Sequence, residues 1–132
     1  MLYLDSSAIV KLVAREPETP SLVEAVRADP AVVSSALAWT EVIRAVRRTR
    51  GRVSRAREVL EGVALVPIDE AILRGAGDLS PVGLRTLDAI HLATVLSLAE
   101  DISALVTYDG RLAEAAAAAG IAVSAPGTDR VR

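Results

Sequence analysis

The chain has 132 residues, 52% hydrophobic and 24% charged, with a formal net charge of −2, which describes one folded domain and excludes a disordered chain. It has no cysteine and one histidine, so disulfides, cysteine–zinc sites and multi-histidine metal clusters are excluded. Its aromatics are Tyr3, Trp39 and Tyr108 alone, too few for a platform on which bases stack.

The first predicted element is a strand, the apolar run Leu2, Tyr3 and Leu4, which ends at Asp5. Ser6 is placed to cap a helix over 8–14, with Ile9, Val10, Leu12 and Val13 as its apolar residues. Pro17 and Pro20 break the chain before a second helix over 21–28. Residues 31–34 read as a second strand, and a long helix follows over 36–50. Trp39, Val42, Ile43 and Val46 form its apolar stripe, so Trp39 is expected in the core. Gly51 ends this helix, and a further one over 52–61 makes a helical hairpin. A third strand over 64–68 precedes a helix that Asp69 caps, which runs to about residue 76. Gly77, Ser80, Pro81 and Gly83 mark a loop before a helix over 86–98. A fourth strand over 103–106, an Ala-rich helix over 111–119 closed by Gly120, and a weak fifth strand over 121–123 complete the order. The tail from about 126 is expected to be irregular.

Short apolar strands separated by helices predict an α/β sandwich, a mostly parallel sheet of four to five strands covered on both faces. No repeat, linker or boundary divides it, so residues 1–132 are read as a single domain. The opening Met-Leu-Tyr-Leu-Asp lacks the pattern of a signal peptide. The most apolar stretch, 89–99, is interrupted by His91 and is far short of the roughly 20 residues of a membrane span. A soluble, cytoplasmic protein with no membrane partner is the expectation. Charge is unevenly spread: residues 44–57 hold seven arginines and no acid, which leaves −9 for the remainder. Such a split points to a polyanion or a basic docking face, against a solvated hairpin that binds nothing specific.

Ligands of open α/β sheets bind beyond the carboxyl ends of the strands. Asp5 follows the first strand and Asp109 the fourth. For Asp109 two readings stand, helix cap and site carboxylate. Asp88 opens a helix that is apolar all round and therefore buried, so its carboxylate must cap, pair or bind a metal. Glu41 projects almost opposite the apolar stripe of its helix, beside Arg44 and Arg48. An exposed Glu–Arg pair, worth about 0.2–0.5 kcal/mol, is the plain alternative to a site role there. Four carboxylates without cysteine suit a hard cation such as Mg²⁺ or Mn²⁺.

Asp5-Ser6-Ser7 after the first strand, Glu41 on a helix, Asp88-Ala89-Ile90-His91-Leu92-Ala93 preceded by Leu84-Arg85, and Thr107-Tyr108-Asp109 after the fourth strand resemble the PIN domain. The closer resemblance is to the VapC toxins of bacterial type II toxin–antitoxin systems, over nearly the whole chain. It implies a sheet of order 3-2-1-4-5 and an endoribonuclease that cleaves RNA phosphodiester bonds by Mg²⁺- or Mn²⁺-activated water. Asp5, Glu41, Asp88 and Asp109 would be the catalytic, metal-binding quartet, with Ser6 and Thr107 in support. Arg44, Arg48 and Arg85 are candidate contacts to RNA or antitoxin, and Arg85 is equally placed to pair with Asp88. His91 reads more readily as a hydrogen-bonded structural histidine than as a general base. The resemblance further implies a homodimer and a cognate VapB-like antitoxin. The antitoxin would lay an apolar helix near 8–14 and 39–61 and place a basic residue beside the acids. A catalytically silent PIN-fold binding module remains open. Another phosphoryl-transfer enzyme is disfavoured: the only lysine, Lys11, lies early in the chain, position 7 is Ser rather than the second Asp of a dehalogenase-like phosphatase, and no P-loop occurs.

Overall fold

The computed structural model describes residues 1–128. Strands β1 (Leu2–Leu4), β2 (Val32–Ser35), β3 (Ala64–Val66), β4 (Ala104–Val106) and β5 (Val123–Ser124) alternate with helices. They pair in the order β3-β2-β1-β4-β5, every pair parallel. The register places Leu2 beside both Val32 and Ala104, so β1 is the central strand. The helices are α1 (Ser6–Val13), α2 (Thr19–Arg27), α3 (Leu37–Arg48), α4 (Val53–Glu61), α5 (Glu70–Gly77), α6 (Thr86–Ser97) and α7 (Gly110–Ala118).

The period of two along a strand divides the core into two layers. Leu2, Leu4 and Val106 face α1–α4, where they meet Ile9, Leu22, Val42, Val46 and Leu60. Tyr3, Val33 and Leu105 face the other way, onto Leu92 and Val95 of α6 and Leu112, Ala115 and Ala116 of α7. No helix among the described residues is long and apolar enough to cross a membrane.

Several boundaries differ from the sequence expectation for local reasons. Asp5, not Ser6, caps α1, and its side chain accepts from the Ala8 N–H. Pro20 lies inside the first turn of α2, where its missing N–H is not needed. The third strand stops at Val66, before Pro67, which has no N–H to donate to a ladder. The fifth strand shifts to Val123–Ser124 because the Thr107 N–H pairs with the Ser124 carbonyl. At the end of α3 the left-handed residue is Arg50 (φ 56°), and Gly51 follows it. The Gly51 N–H returns to the Val46 carbonyl and the Arg50 N–H to that of Arg47, a Schellman motif. A Cβ on Gly51 would stand 2.9 Å from the Val46 side chain, so close approach demands glycine there.

Trp39 is 37% exposed rather than in the core. It sits in the first turn of α3, at the carboxyl edge of the sheet, and Ala38, Val42 and Val46 form the buried stripe instead. In α6, Leu87 is 46% exposed while His91, Leu92 and Val95 are buried. The expected irregular tail is described only through 128. There it folds back: the Tyr108 hydroxyl donates to the Pro126 carbonyl at 2.7 Å, and Gly127 (φ +88°) lies against Glu18.

Candidate active site

The carboxyl ends of β1 and β4, the start of α3 and the first turn of α6 meet at one edge of the molecule. Asp5 extends β1 by donating its N–H to the Val106 carbonyl at 3.2 Å. Its carboxylate is buried and hydrogen-bonded at both oxygens. Oδ1 accepts from the Ser7 hydroxyl at 2.7 Å and the Ala8 N–H at 3.0 Å, and Oδ2 accepts from the Thr107 hydroxyl at 2.6 Å. Burial pushes this carboxyl above its ordinary value, with the Thr107 and Ser7 hydrogen bonds pulling against it.

Thr107 joins Asp5 to Asp109, because its hydroxyl oxygen also accepts the Asp109 N–H at 3.0 Å. Asp109 does two things at once. Oδ1 caps α7 through the Arg111 and Leu112 N–H groups, and Oδ2 accepts from Arg85 Nη2 at 3.0 Å. The two readings of Asp109 are therefore compatible. Arg85 reaches the second carboxylate as well, with Nε donating to Asp88 Oδ2 at 3.2 Å. Asp88 thus pairs rather than caps. Burial raises its carboxyl, the charge of Asp109 raises it further, and Arg85 offsets part of the rise.

Glu41 is turned into this edge instead of toward its helix neighbours. Oε1 accepts from the Ser6 hydroxyl at 2.5 Å and lies 2.7 Å from His91 Nε2. Burial would raise the Glu41 carboxyl, but the bonds from His91 and Ser6 outweigh it and hold it below its ordinary value. With Glu41 ionised, Nε2 is the ring nitrogen that donates to it, and Nδ1 lies 2.8 Å from the Tyr3 hydroxyl. Burial pushes the Tyr3 phenol up, so it remains a donor at neutral pH. His91 is the hydrogen-bonded structural histidine of the sequence reading. The missing part of that reading was its partner Tyr3, whose only signal is its alternation with Leu2 and Leu4. Ser7 holds Asp5 and also accepts the Tyr108 N–H at 3.0 Å.

Arg44 and Arg48 do not join the acids. With Arg47 they line a surface depression of about 270 Å³ farther along α3, and all three are exposed.

The donors fit a hard divalent cation: they are carboxylate oxygens, with no thiolate, and both nitrogens of the single histidine are engaged. Asp5, Asp88, Asp109 and Glu41 would hold such an ion. Among the described residues, however, no three acidic or histidine side chains are gathered tightly enough to enclose one. The guanidinium of Arg85 lies between two of the four.

Fold and site together define an α/β protein with carboxylates from four elements at the carboxyl edge of a parallel sheet. Residues 2–118 match the PIN domain family, and the chain belongs to it. The chain is 49% identical over 127 residues to Ribonuclease VapC46 of Mycobacterium tuberculosis, covering 95% of this chain and 97% of that one. Solved structures that share the fold include the following two. One is M. tuberculosis VapC20, described as a Sarcin-Ricin loop cleaving toxin (TM-score 0.72, 17% identity, 96% of this chain and 100% of that one). The other is VapBC2 from Rickettsia felis bound to a DNA fragment from its promoter (TM-score 0.67, 12% identity, 96% and 99%).

Proposed function

We propose that this protein is an Mg²⁺- or Mn²⁺-dependent endoribonuclease that acts as the toxin of a toxin–antitoxin pair. The observation that carries the reading is the chain of shared partners, Thr107 and Arg85, that joins Asp5, Asp109 and Asp88 at one sheet edge, with Glu41 bound to Ser6, the residue next to Asp5. The 49% identity to a protein named a ribonuclease gives that site its reaction class. A divalent ion bound there supplies the charge that activates water and stabilises the leaving oxygen in phosphodiester hydrolysis.

The chain's own residues prepare the ligands. Thr107 and Ser7 orient Asp5, the α7 N-terminus orients Asp109, and Ser6 and His91 keep Glu41 ionised. Ser6 and Thr107 thus serve as supporting hydroxyls. Without the four acids the chain carries +2, and the arginines of α3 and α4 give RNA phosphates a basic approach to the site. The cognate antitoxin is the second partner proposed, in line with VapBC2 among the fold's neighbours. Exposed Leu73, Val82 and Leu87 support self-association into a homodimer, the third.

The test is RNA cleavage by the purified chain with Mg²⁺, with EDTA, and with Mn²⁺ added back. Asp88→Asn should lose more than the roughly 10–100-fold that loss of an outer-shell partner of a metal costs. Cleavage that persists in EDTA, or a fully active Asp88→Asn, contradicts the reading.

A further inference from the structure

We infer that Arg85 is a resident counter-cation of the acidic edge, holding the place between Asp88 and Asp109 until a divalent ion displaces it. This rests on the reading of the four acids as a metal site, and goes beyond it in assigning the residue that opposes loading.

The oxygen-by-oxygen pattern is the basis. Both oxygens of Asp5, Oδ1 of Asp109 and Oε1 of Glu41 are bound by hydroxyl, backbone N–H or imidazole donors. Asp88 Oδ2 and Asp109 Oδ2 are bound by Arg85 alone. Asp88 Oδ1 and Glu41 Oε2 have no donor among the described residues. The oxygens that no fixed donor holds are thus the two free ones and the two that Arg85 covers, while Asp5 Oδ2, held by Thr107 alone, keeps its second lone pair for an ion. A guanidinium has donors only and cannot share a carboxylate oxygen closely with a like-charged ion. Metal and Arg85 therefore compete for the two covered oxygens.

The surroundings permit the exchange. The Arg85 side chain is 66% exposed, whereas the Asp88 and Asp109 side chains are 14% and 22% exposed. Asp109 is pinned by the N-terminus of α7, so it stays in place when the guanidinium leaves. Outside the pair, Arg85 lines a cavity of about 620 Å³ together with Asp109, Gly110, Arg111, Glu114 and Ala117. That cavity gives the released guanidinium room, with Arg111 as a second cation for a phosphate. A polyanion that draws Arg85 outward relieves the competition, so nucleic acid and metal bind with positive coupling, each raising the affinity of the other.

The experiment is a Mn²⁺ titration of the full chain by calorimetry and electron paramagnetic resonance. It is run with and without a phosphorothioate 2′-O-methyl oligonucleotide that resists cleavage. Wild type, Arg85→Gln and Arg85→Lys are compared. Without oligonucleotide, Arg85→Gln should bind Mn²⁺ about 3–10-fold more tightly, the scale of exposed ion pairs. The oligonucleotide should tighten Mn²⁺ binding in wild type and leave Arg85→Gln almost unchanged. Arg85→Lys keeps the charge but loses the two-armed fork, so it should fall between them. Equal or weaker Mn²⁺ binding by Arg85→Gln overturns the inference while leaving the metal site standing. Arg85→Lys matching wild type while Arg85→Gln tightens would reduce the effect to net charge and overturn the bridging role. If wild type binds no Mn²⁺ at millimolar concentration, the metal-site reading itself falls, and this inference with it.

Discussion

Asp5 carries a burial cost that its partners only partly offset. Its carboxyl is raised in the folded protein, first by burial, against hydrogen bonds from Thr107 and Ser7. The folded state therefore holds a proton more tightly than the unfolded chain. Stability is undiminished below the unfolded carboxylate range and falls as pH rises through the folded value. Glu41 has the opposite sign. Its carboxyl is lowered, so its contribution is present above the unfolded value and is lost as pH falls through the folded one. Asp5→Asn keeps an N-cap of equal quality and a donor for the Thr107 oxygen, and it removes the buried charge. Without metal, its melting temperature should match wild type in acid and exceed it increasingly as pH rises toward neutrality. Calorimetry across that range in EDTA checks this; a gap that closes with rising pH contradicts it. RNA cleavage by the same variant should be lost, separating the residue's site role from its structural one.

At the scale of elements, the α3–α4 hairpin and the C-terminal fold-back make separate predictions. Arg44, Arg47 and Arg48 are exposed and, among the described residues, pair with no carboxylate. Glu41 on the same helix is spent on Ser6 and His91. Changing the three arginines together to alanine should lower the slope of log affinity against log salt for single-stranded RNA by about 2. Fluorescence anisotropy on the Asp88→Asn background measures it. An unchanged slope assigns this face to the antitoxin or to solvent. At the other end of the chain, Gly127 has φ +88°, and a Cβ there would come within 2.9 Å of the Glu18 Cα. Gly127→Ala should destabilise the protein by at least about 1–2 kcal/mol from backbone strain alone. Urea unfolding reads the loss, and an unaltered midpoint would mean that the fold-back adds nothing to stability.

At the scale of the molecule, the strand order brings the site together. β1 and β4 are neighbours, so residues that follow them, Asp5 and Thr107, meet across 102 positions of sequence. The same sheet leaves Leu73, Val82 and Leu87 exposed around α5 and α6. Co-expression with the product of a cognate antitoxin gene should yield a complex containing two copies of this 13.8 kDa chain, measurable by light scattering. A chain that stays monomeric and binds no such product contradicts the dimer and antitoxin proposals without touching the nuclease.

What the sequence by itself determined are the features set over a few residues. Apolar runs and helical periodicity placed twelve elements in the observed order, because strand and helix periods and caps act over two to four positions. Asp5, Asp88 and Asp109 were legible as candidates for the same reason, as polar residues at strand ends and in a helix first turn, whereas Glu41 was marked only by the family resemblance. The tertiary structure alone decided how they are used. Helix spacing pairs Glu41 with Arg44 and Arg48, yet Ser6 and His91, 35 and 50 residues away, hold it. Arg85 reaches Asp109 as well as Asp88, across 24 residues. Tyr3 anchors the histidine 88 residues later. Trp39 left the core because the apolar stripe says which side of a helix is covered, whereas the sheet edge says how far along it the cover extends. Those contacts depend on which strands are neighbours and where each helix starts relative to the sheet. Local pattern does not encode that placement; packing both faces of one sheet does.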